Sequence, residues 1–353
     1  METKSDGGSS SEMSLLLLTF RNRSTVLKTV HYALGTLMAC VVLVCMVELI
    51  KHEGAPSTQR SIQHRKVLSL SESVLLRSVK KSDGIYDVFI SVKTSAKFHE
   101  ERLAVILKTW FTLDPTNIFF FTDAEDPSIR SIVGAQLIPT SCSSDHSRQA
   151  LSCKMQAEFN YFLNTNSRWF CHFDDDQYVN IPGLRRKLAE FPPHLPWYLG
   201  KPSIQRPLEI LDKENPVDQK KIRFWFGTGG AGFCLSRPLA ERMVNLAGAE
   251  QFINTAEKMR LPDDVTMGYI VEMLAEVPLT KLDEFHSHLE PLRLVRELEK
   301  QISFSYSSYG DEDGKEERNI VEVQGFQEMM DPTRFLSIHC KLFPSTSWCS
   351  AIP

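Results

Sequence analysis

From about residue 86 onward, apolar residues occur in short runs that are separated by polar segments. The run 86–92 is rich in β-branched and aromatic residues, which predicts a strand. The run 117–121 predicts a second buried strand, and between the two runs apolar residues recur at helical spacing across 99–111. A strand, a helix and a strand in this order predict a parallel sheet with a right-handed crossover. Ligands bind such sheets in crevices at the carboxyl ends of the strands.

The remainder of the chain continues this alternation. Periodicity predicts helices over 149–162 and 238–246, and apolar runs predict strands at 169–173 and 197–200. Other segments differ from that pattern: 205–221, expected to be a charged surface loop, 311–318, expected to be disordered, and 335–349, expected to be a strand with a disulfide-tied tail. We therefore predict an α/β fold with a mostly parallel sheet flanked by helices.

The N-terminal part of the chain has a different pattern. Residues 1–29 are polar apart from a short leucine run, and 30–50 are apolar almost throughout. A helix of that length, at about 1.5 Å rise per residue, matches a bilayer core of about 30 Å. We expect a cytoplasmic tail at 1–29, a transmembrane signal-anchor at 30–50 and a luminal stem at 51–84. A cleaved signal peptide is the alternative.

Charge and cysteine content narrow the setting further. The net charge is −4, and basic residues form no long patch, so nucleic acid is not an expected partner. Six cysteines lie beyond the apolar span, and an even number there suggests three disulfides in an oxidising lumen. Six free thiols facing the cytosol are the alternative. Proximity along the chain favours Cys142–Cys153 and Cys340–Cys349, which leaves Cys171–Cys234.

Three adjacent carboxylates, Asp174, Asp175 and Asp176, directly follow the predicted strand at 169–173. Adjacent carboxylates repel each other, so a packed protein tolerates them where a cation lies among them. Carboxylate oxygens suit Mg²⁺, Ca²⁺ and Mn²⁺. Their position at the carboxyl end of a strand indicates a site for a nucleotide diphosphate. A solvated acidic turn or a helix cap is the alternative interpretation.

Later segments add further candidate chemistry. Four glycines within 227–232 permit positive φ and close approach of the backbone to a ligand, although an ordinary turn has the same composition. A proline followed by Asp263 and Asp264 is typical of a helix start, where acids also complement the helix dipole. His286 and His288 are two residues apart, so in an extended segment they face the same side and one or both could reach a metal.

Four motifs in order resemble the fringe family of β-1,3-N-acetylglucosaminyltransferases, which act on O-linked fucose. The motifs are FDDDQYVN at 173–180, FGTGGAGF at 226–233, PDDVTMG at 262–268 and FHSHLE at 285–290. The resemblance runs from about residue 86 to the C-terminus, and the first 85 residues match only in type. It implies a GT-A-like, Rossmann-like fold in a single-pass type II Golgi membrane protein with a luminal catalytic domain at 85–353.

The resemblance also implies an activity. The expected reaction transfers N-acetylglucosamine from UDP-GlcNAc, with inversion, to the 3-hydroxyl of O-linked fucose on EGF-like repeats. Such repeats occur notably in Notch receptors, whose signalling the added sugar modulates, and the metal is typically Mn²⁺. The alternatives are a related β-1,3-galactosyl- or N-acetylglucosaminyltransferase with another acceptor, and a non-catalytic Golgi glycan-binding protein.

On the donor side, the family pattern assigns roles to matching residues of this chain. Asp176 and His288 are expected to bind the metal, with His286 as the second choice for the imidazole ligand. Asp175 is expected to contact the nucleotide sugar, and Asp174 to help in either task.

The remaining assignments concern the nucleotide and the acceptor. Arg102 resembles a basic contact to the donor, and Thr94 and Asp123 are expected in the uridine pocket. An inverting displacement needs one base to deprotonate the attacking hydroxyl. We expect Asp264 to be this base, with Asp263 as the second choice, since a helix N-terminus keeps a carboxylate ionised.

Overall fold

The computed structural model of the protein describes residues 87–212, 220–310 and 316–351. The chain divides into two compact units, Met1–Lys81 and Ser82–Pro353, and every described residue belongs to the second. The tail, span and stem predicted for 1–84 therefore lie outside the described residues. Within the described ranges, no helix has the length and apolar character needed to cross a bilayer.

Strands and helices alternate along the described chain. The strands are β1 (Val88–Lys93), β2 (Ile118–Thr122), β3 (Leu137–Pro139), β4 (Trp169–Asp174), β5 (Tyr178–Val179), β6 (Tyr198–Gly200), β7 (Leu208–Leu211), β8 (Lys221–Phe224), β9 (Phe233–Ser236), β10 (Leu279–Lys281), β11 (Ser303–Phe304), β12 (Ser307–Gly310) and β13 (Glu316–Asn319). The α-helices are α1 (Ala104–Lys108), α2 (Pro127–Val133), α3 (Arg148–Leu163), α4 (Ile181–Leu188), α5 (Arg237–Arg242), α6 (Val244–Ala247), α7 (Gln251–Met259), α8 (Asp263–Tyr269) and α9 (Phe335–Leu342).

Seven strands form the central sheet in the order β10-β6-β9-β4-β1-β2-β3. The four strands β4, β1, β2 and β3 are parallel neighbours, and β6 is parallel to β10. Within this sheet, β9 runs antiparallel to both of its neighbours, β4 and β6. The prediction of a mostly parallel sheet with flanking helices is confirmed.

Strand β1 is buried along its whole length because both faces of the sheet are covered. Val88, Ile90 and Val92 belong to one apolar cluster. Phe89, which points to the opposite face, belongs to a second cluster together with Phe159 of α3. This alternation is the period of two expected of a strand. It fixes the strand that ends at the candidate site between two packed layers.

The three predicted disulfides are confirmed. Cys142 pairs with Cys153, and Cys340 pairs with Cys349. Cys171 of β4 pairs with Cys234 of β9, which lies directly opposite it in the antiparallel register. This last bridge joins the strand that precedes the acidic triplet to the strand that follows the glycine-rich segment.

The predicted elements before the triplet agree with the structure except at 99–111. The helix expected there is interrupted: a π-helical turn at His99–Leu103 precedes α1, and a 3-10 turn at Trp110–Leu113 follows it. Thr109 ends α1 with non-helical backbone angles, and its hydroxyl donates to the carbonyl of Val105. A side chain that bonds to the preceding turn competes with helix continuation. The helix predicted at 149–162 is α3.

Other expectations after the triplet were wrong. The segment 205–221 is not a plain loop. Its residues 208–211 form β7, and its last residue, Lys221, begins β8, which pairs with β7 in an antiparallel hairpin. Residues 316–318, at the end of the stretch expected to be disordered, belong to β13, which pairs with β12. The helix predicted at 238–246 is divided into α5 and α6.

The C-terminal segment 335–349 begins with helix α9, so the strand predicted there was wrong. Phe335 and Ile338, three residues apart, are both buried in this helix. The Asp331 carboxylate accepts hydrogen bonds from the backbone amides of Leu336 and Ser337, at 3.2 and 2.8 Å. It thereby satisfies donors that a helix start leaves unpaired.

Candidate active site

A cavity of about 300 Å³ lies where the carboxyl ends of β1 and β4 meet the glycine-rich segment and the start of α8. Its wall includes most of the residues singled out in the sequence, namely Thr94, Arg102, Asp174, Asp175, Asp176, Asp263, Asp264 and His288. Residues distant in the chain therefore meet at one edge of the sheet, as expected for parallel strands.

The first carboxylate of the triplet, Asp174, lies beside a buried lysine. The register of β1 and β4 pairs Lys93 with Asp174, and the Lys93 Nζ is 3.1 Å from Asp174 Oδ1. The same Nζ donates to Asp263 Oδ2 at 2.7 Å. Burial works to lower the pKa of Lys93, but Asp174, Asp263 and Glu158 together hold it well above its usual value. Lys93 is therefore a buried cation that contacts two acids of the cavity.

A second buried cation lies behind Asp174. The Nδ1 of His172 is 2.6 Å from Glu158 Oε2, its Nε2 is 3.5 Å from Asp174 Oδ1, and Ser91 donates to Glu158. Burial favours neutral imidazole, yet the Glu158 carboxylate raises the pKa of His172 to about 9. Burial likewise acts to raise the pKa of Asp174, but Lys93 and His172 hold it far below its usual value. Asp174 is thus ionised and fixed between two cations.

The second carboxylate, Asp175, is held by the predicted donor-contacting residues. Arg102 Nη1 is 2.6 Å from Asp175 Oδ1, and Thr94 Oγ1 donates to Asp175 Oδ2 at 2.8 Å. Burial raises the pKa of Asp175, and the contacts with Arg102 and Thr94 oppose that shift. The Arg102 guanidinium also lies 3.7 Å from the centre of the Phe98 ring and 3.7 Å from Asp176 Oδ2. Arg102 is therefore held at the cavity wall by three neighbours, Asp175, Asp176 and the Phe98 ring.

The third carboxylate, Asp176, and His288 provide the atoms that fit a metal ion. Asp176 Oδ1 and His288 Nδ1 are buried polar atoms without a hydrogen-bond partner among the described residues, and both residues line the cavity. Burial, followed by the charges of Asp174 and Asp175, raises the pKa of Asp176 to about 7. A divalent cation would relieve both deficits. In the described ranges no group of three or more His, Cys, Asp or Glu residues is arranged to hold a metal.

Asp264 lies on the opposite wall, in the first turn of α8. Its Oδ2 accepts from the Gly229 amide at 3.0 Å, and its Oδ1 accepts from the Val265 amide at 2.7 Å. Burial, with the nearby charge of Asp263, raises the pKa of Asp264 to about 6. The neighbouring Asp263 is instead engaged by Lys93, so Asp264 is the better placed of the two to meet a substrate proton.

The glycine-rich segment lies between Asp264 and His288. A Cβ at Gly229 would contact Asp264 at 3.5 Å, and one at Gly230 would contact His288 at 3.5 Å. Gly232 has φ of +87°, and a Cβ there would lie 2.4 Å from the Phe173 ring. Glycine at this last position is required by both backbone conformation and space.

Two of the residues singled out in the sequence do not line the cavity. Asp123 accepts from the Ala96 amide at 2.9 Å and from Ser95 Oγ at 3.1 Å, and so shapes the loop after β1. His286 is buried, with its ring nitrogens 3.2 Å from Glu290 Oε1 and 2.9 Å from Gln301 Oε1. The two histidines of the motif therefore have different surroundings, and only His288 reaches the cavity.

Comparison with known proteins decides the family. A family model described as Fringe-like matches residues 84–346. The chain belongs to the Fringe-like family. The resemblance identified from the four motifs is thereby confirmed.

Relatives of this Fringe-like chain carry names of glycosyltransferases. It is 52% identical over 266 residues to the Drosophila melanogaster protein named Fringe glycosyltransferase, covering 74% of this chain and 63% of that protein. It is 48% identical to the human β-1,3-N-acetylglucosaminyltransferase lunatic fringe, covering 74% and 69%. It is 45% identical over 302 residues to the radical fringe of Notophthalmus viridescens, covering 85% and 74%. The chain thus spans less than two thirds of the Drosophila relative.

Solved structures add little for this Fringe-like chain. The glycosyltransferase GlyE of Streptococcus pneumoniae aligns with a TM-score of 0.32 at 12% identity, over 56% of this chain and 45% of that one. Mouse xyloside xylosyltransferase 1 aligns with a TM-score of 0.33 at 12% identity, over 56% and 85%. Values this low carry no argument about the site.

The Fringe-like site also contains residues that the sequence patterns did not reveal. Ion pairs buried beneath the cavity involve Lys93, Glu158 and His172. In addition, Lys154 Nζ donates to the Thr94 carbonyl at 2.8 Å. One signal was available for Lys93: three adjacent acids require a cation, and a neighbouring parallel strand could supply it. Choosing Lys93 needed the strand register, which the residue pattern does not specify.

Proposed function

We propose that this chain is an inverting, metal-dependent O-fucosylpeptide 3-β-N-acetylglucosaminyltransferase with a GT-A-like fold. It transfers N-acetylglucosamine from UDP-GlcNAc to O-linked fucose on EGF-like repeats of Notch-type receptors. One observation carries the proposal: an acidic triplet suited to a nucleotide diphosphate faces, across one cavity, a separate carboxylate suited to be a base. Relatives at 45–52% identity bear glycosyltransferase names, which supports the reaction type.

On the donor side, the protein binds and orients UDP-GlcNAc. Arg102 places a guanidinium at the cavity wall, held by Asp175 and supported on the Phe98 ring, where it neutralises phosphate charge. Thr94 fixes the other oxygen of Asp175. Lys154, which bonds to the Thr94 carbonyl, supports the loop that faces the nucleotide. These contacts pre-form the donor site and reduce the side-chain ordering needed on binding.

Asp176 and His288 would hold the cofactor, which we propose to be Mn²⁺. The fit rests on their two unpartnered buried atoms and on mixed carboxylate and imidazole chemistry. A bound Mn²⁺ would supply a Lewis acid for the charge that develops on the departing diphosphate. Oxygens of the substrate and water would complete the coordination.

Asp264 acts on the acceptor. Its carboxylate removes the proton of the fucose 3-hydroxyl as that oxygen attacks the anomeric carbon from the face opposite UDP. The Gly229 and Val265 amides hold the carboxylate in place. A pKa of about 6 keeps Asp264 mostly ionised at neutral pH, while leaving it basic enough to accept a proton.

The cellular setting belongs to the same proposal. The tail, signal-anchor and stem expected at 1–84 place the catalytic domain in the Golgi lumen, as a single-pass type II protein. Three disulfides in the described unit support an oxidising compartment.

A transfer assay with the full-length protein tests the function. We expect a UDP-GlcNAc-dependent mass increase of one N-acetylhexosamine on an O-fucosylated EGF repeat with Mn²⁺, and none with EDTA. The unfucosylated repeat is the matched control. Preference for UDP-galactose or for a galactose-terminated acceptor would favour a related transferase instead. Absence of transfer from any UDP-sugar would favour a glycan-binding protein without catalysis.

A further inference from the structure

Lys93 joins two parts of the site that come from different regions of the chain. Asp174 ends β4, whereas Asp263 begins α8 and directly precedes the proposed base, Asp264. The Lys93 Nζ contacts both carboxylates, at 3.1 and 2.7 Å. Lys93 itself ends β1 and is 8% exposed, so its ammonium has little access to water. The ion pair is therefore buried, and removing one partner of such a pair is costly because it leaves an uncompensated charge.

The two carboxylates depend on Lys93 to different degrees. Asp174 is additionally held by the pairing of β4, by His172, and by Gln177, whose Oε1 accepts from the Asp174 amide at 3.1 Å. For Asp263, Lys93 is the one cation within 4 Å in the described part of the chain. Removing the ammonium would therefore disturb the start of α8 more than the triplet.

The start of α8 matters because it carries Asp264. A displacement of about 1 Å between reacting groups can reduce a rate by about 10²-fold. Asp264 is anchored on its other side by the Gly229 amide, and the Gly229 carbonyl accepts from Gln177 Nε2 at 2.9 Å. Lys93 and Gly229 thus hold the two sides of the first turn of α8.

We propose that Lys93 is a positioning residue of the transfer reaction: its ammonium ties Asp263 to Asp174 and so sets the place of Asp264 relative to the donor. This inference rests on the proposed function. It assigns Lys93 a role in the attack step, separate from donor binding. Lys154, the other buried lysine at the cavity, differs because it contacts the loop after β1, through the Thr94 carbonyl and Asp123.

The test compares four full-length variants with the wild type: Lys93→Met, Lys93→Arg, Lys93→Met/Asp263→Asn, and Lys154→Met as the contrasting buried lysine. For Lys93→Met we expect kcat for transfer to fall at least about 10-fold, with the donor KM changed less than about 3-fold. For Lys154→Met we expect the change mainly in the donor KM. Lys93→Arg keeps the charge and should recover part of kcat.

The double variant separates positioning from charge balance. Removing both charges relieves the unpaired buried carboxylate, so thermal stability should recover towards the wild-type value. If Lys93 positions α8, kcat of the double variant stays at least about 10-fold low because the tie is still missing. Should Lys93→Met fail to fold, the double variant alone decides the question.

Three results would overturn the role of Lys93: kcat of the double variant within about 3-fold of wild type, a loss confined to the donor KM, or unchanged transfer by Lys93→Met. If the wild type transfers a different sugar, the same comparison is made with that sugar. A wild-type protein that transfers no sugar overturns the proposed function and the role of Lys93 together, and so differs from failure of the role alone.

Discussion

Asp264→Asn is expected to slow transfer severely while leaving the folded protein at least as stable at neutral pH. The substitution keeps the size of the side chain and removes its negative charge. General-base catalysis contributes about 10²–10⁴-fold to a rate, so kcat should fall by about that factor. Loss of activity by itself would also follow from misfolding. The sign of the stability change distinguishes the two explanations.

The stability change depends on the surroundings of Asp264. Burial and the Asp263 charge raise its pKa from 3.8 to about 6. A shift of about two units corresponds to about 3 kcal/mol against the ionised form in the fold. Asp264 is partly exposed, so solvent screening reduces this to about 1–2 kcal/mol. Because the folded pKa is the higher one, this penalty is present above about pH 6 and disappears below the unfolded pKa.

An opposing contribution comes from hydrogen bonding. Both oxygens of Asp264 accept from backbone amides, one from Gly229 and one from Val265. Asparagine has a single acceptor oxygen, and the lost bond costs about 1 kcal/mol. The net change at pH 7.5 is a stabilisation of about 0–1 kcal/mol, which corresponds to a rise in Tm of about 0–4 °C. At pH 4 Asp264 is protonated in the folded wild type, so removal of its charge no longer stabilises the variant. Only the lost hydrogen bond remains, and the variant should melt below the wild type.

Three measurements check this reasoning. Transfer of radiolabelled N-acetylglucosamine gives kcat, and thermal melts at pH 7.5 and pH 4 give the two differences in Tm. The wild-type pH profile should fall about tenfold per pH unit below about pH 6, since the ionised base is the active form. Asp283→Asn, at an exposed position away from the cavity, is the matched control and should change neither quantity. The assignment of Asp264 is refuted if Asp264→Asn keeps more than about a tenth of wild-type kcat, and the stability argument is refuted if the variant melts clearly lower at pH 7.5.

Further predictions concern the metal, the donor and the glycine-rich segment. Asp176→Asn should raise the Mn²⁺ concentration for half-maximal transfer at least about 10-fold, measured by metal titration; an unchanged value would remove Asp176 from the metal site. Arg102→Ala should raise the donor KM about 10-fold with a smaller effect on kcat, whereas Arg296→Ala at an exposed position should not. Gly232→Ala should destabilise the protein by more than about 2 kcal/mol in thermal melts, because it adds a clash to an unfavourable φ. Gly134→Ala shares the positive φ, but a Cβ there would lie an ordinary 3.8 Å from Gln136 Oε1, so its smaller cost isolates backbone strain, and equal costs would contradict the clash.

The sequence was informative where a residue type by itself restricts the chemistry. Three adjacent acids at a strand end, a proline followed by two acids, and a glycine cluster each indicated a place in the site. Asp176, Asp264 and His288 indeed meet at one cavity. The cysteine pairing was also predictable, because two pairs are close in sequence and a single pair remained.

Other features depend on long-range geometry that residue patterns do not contain. Lys93 belongs to the site because β1 and β4 align it with Asp174. Glu158 reaches His172 because α3 packs on that face of the sheet. The different surroundings of His286 and His288 arise from contacts with Glu290 and from bends that alternation along a strand does not anticipate. The strand expected within 335–349 is helix α9 instead, in which Phe335 and Ile338 are both buried.

The reversed strand β9 has a consequence for how the cleft obtains two walls. The parallel strands β1 and β4 have their carboxyl ends at this edge of the sheet, so each contributes the residues that follow it in the chain. Because β9 runs the other way, it contributes the residues on its N-terminal side, namely the glycines at 227–232. Backbone amides of the segment that precedes β9 therefore lie at this edge of the sheet, and the Gly229 amide donates to Asp264. A single inversion of strand polarity thus brings the N-terminal end of one strand to the same edge as the C-terminal ends of its neighbours, so that backbone amides and acidic side chains line one cleft together.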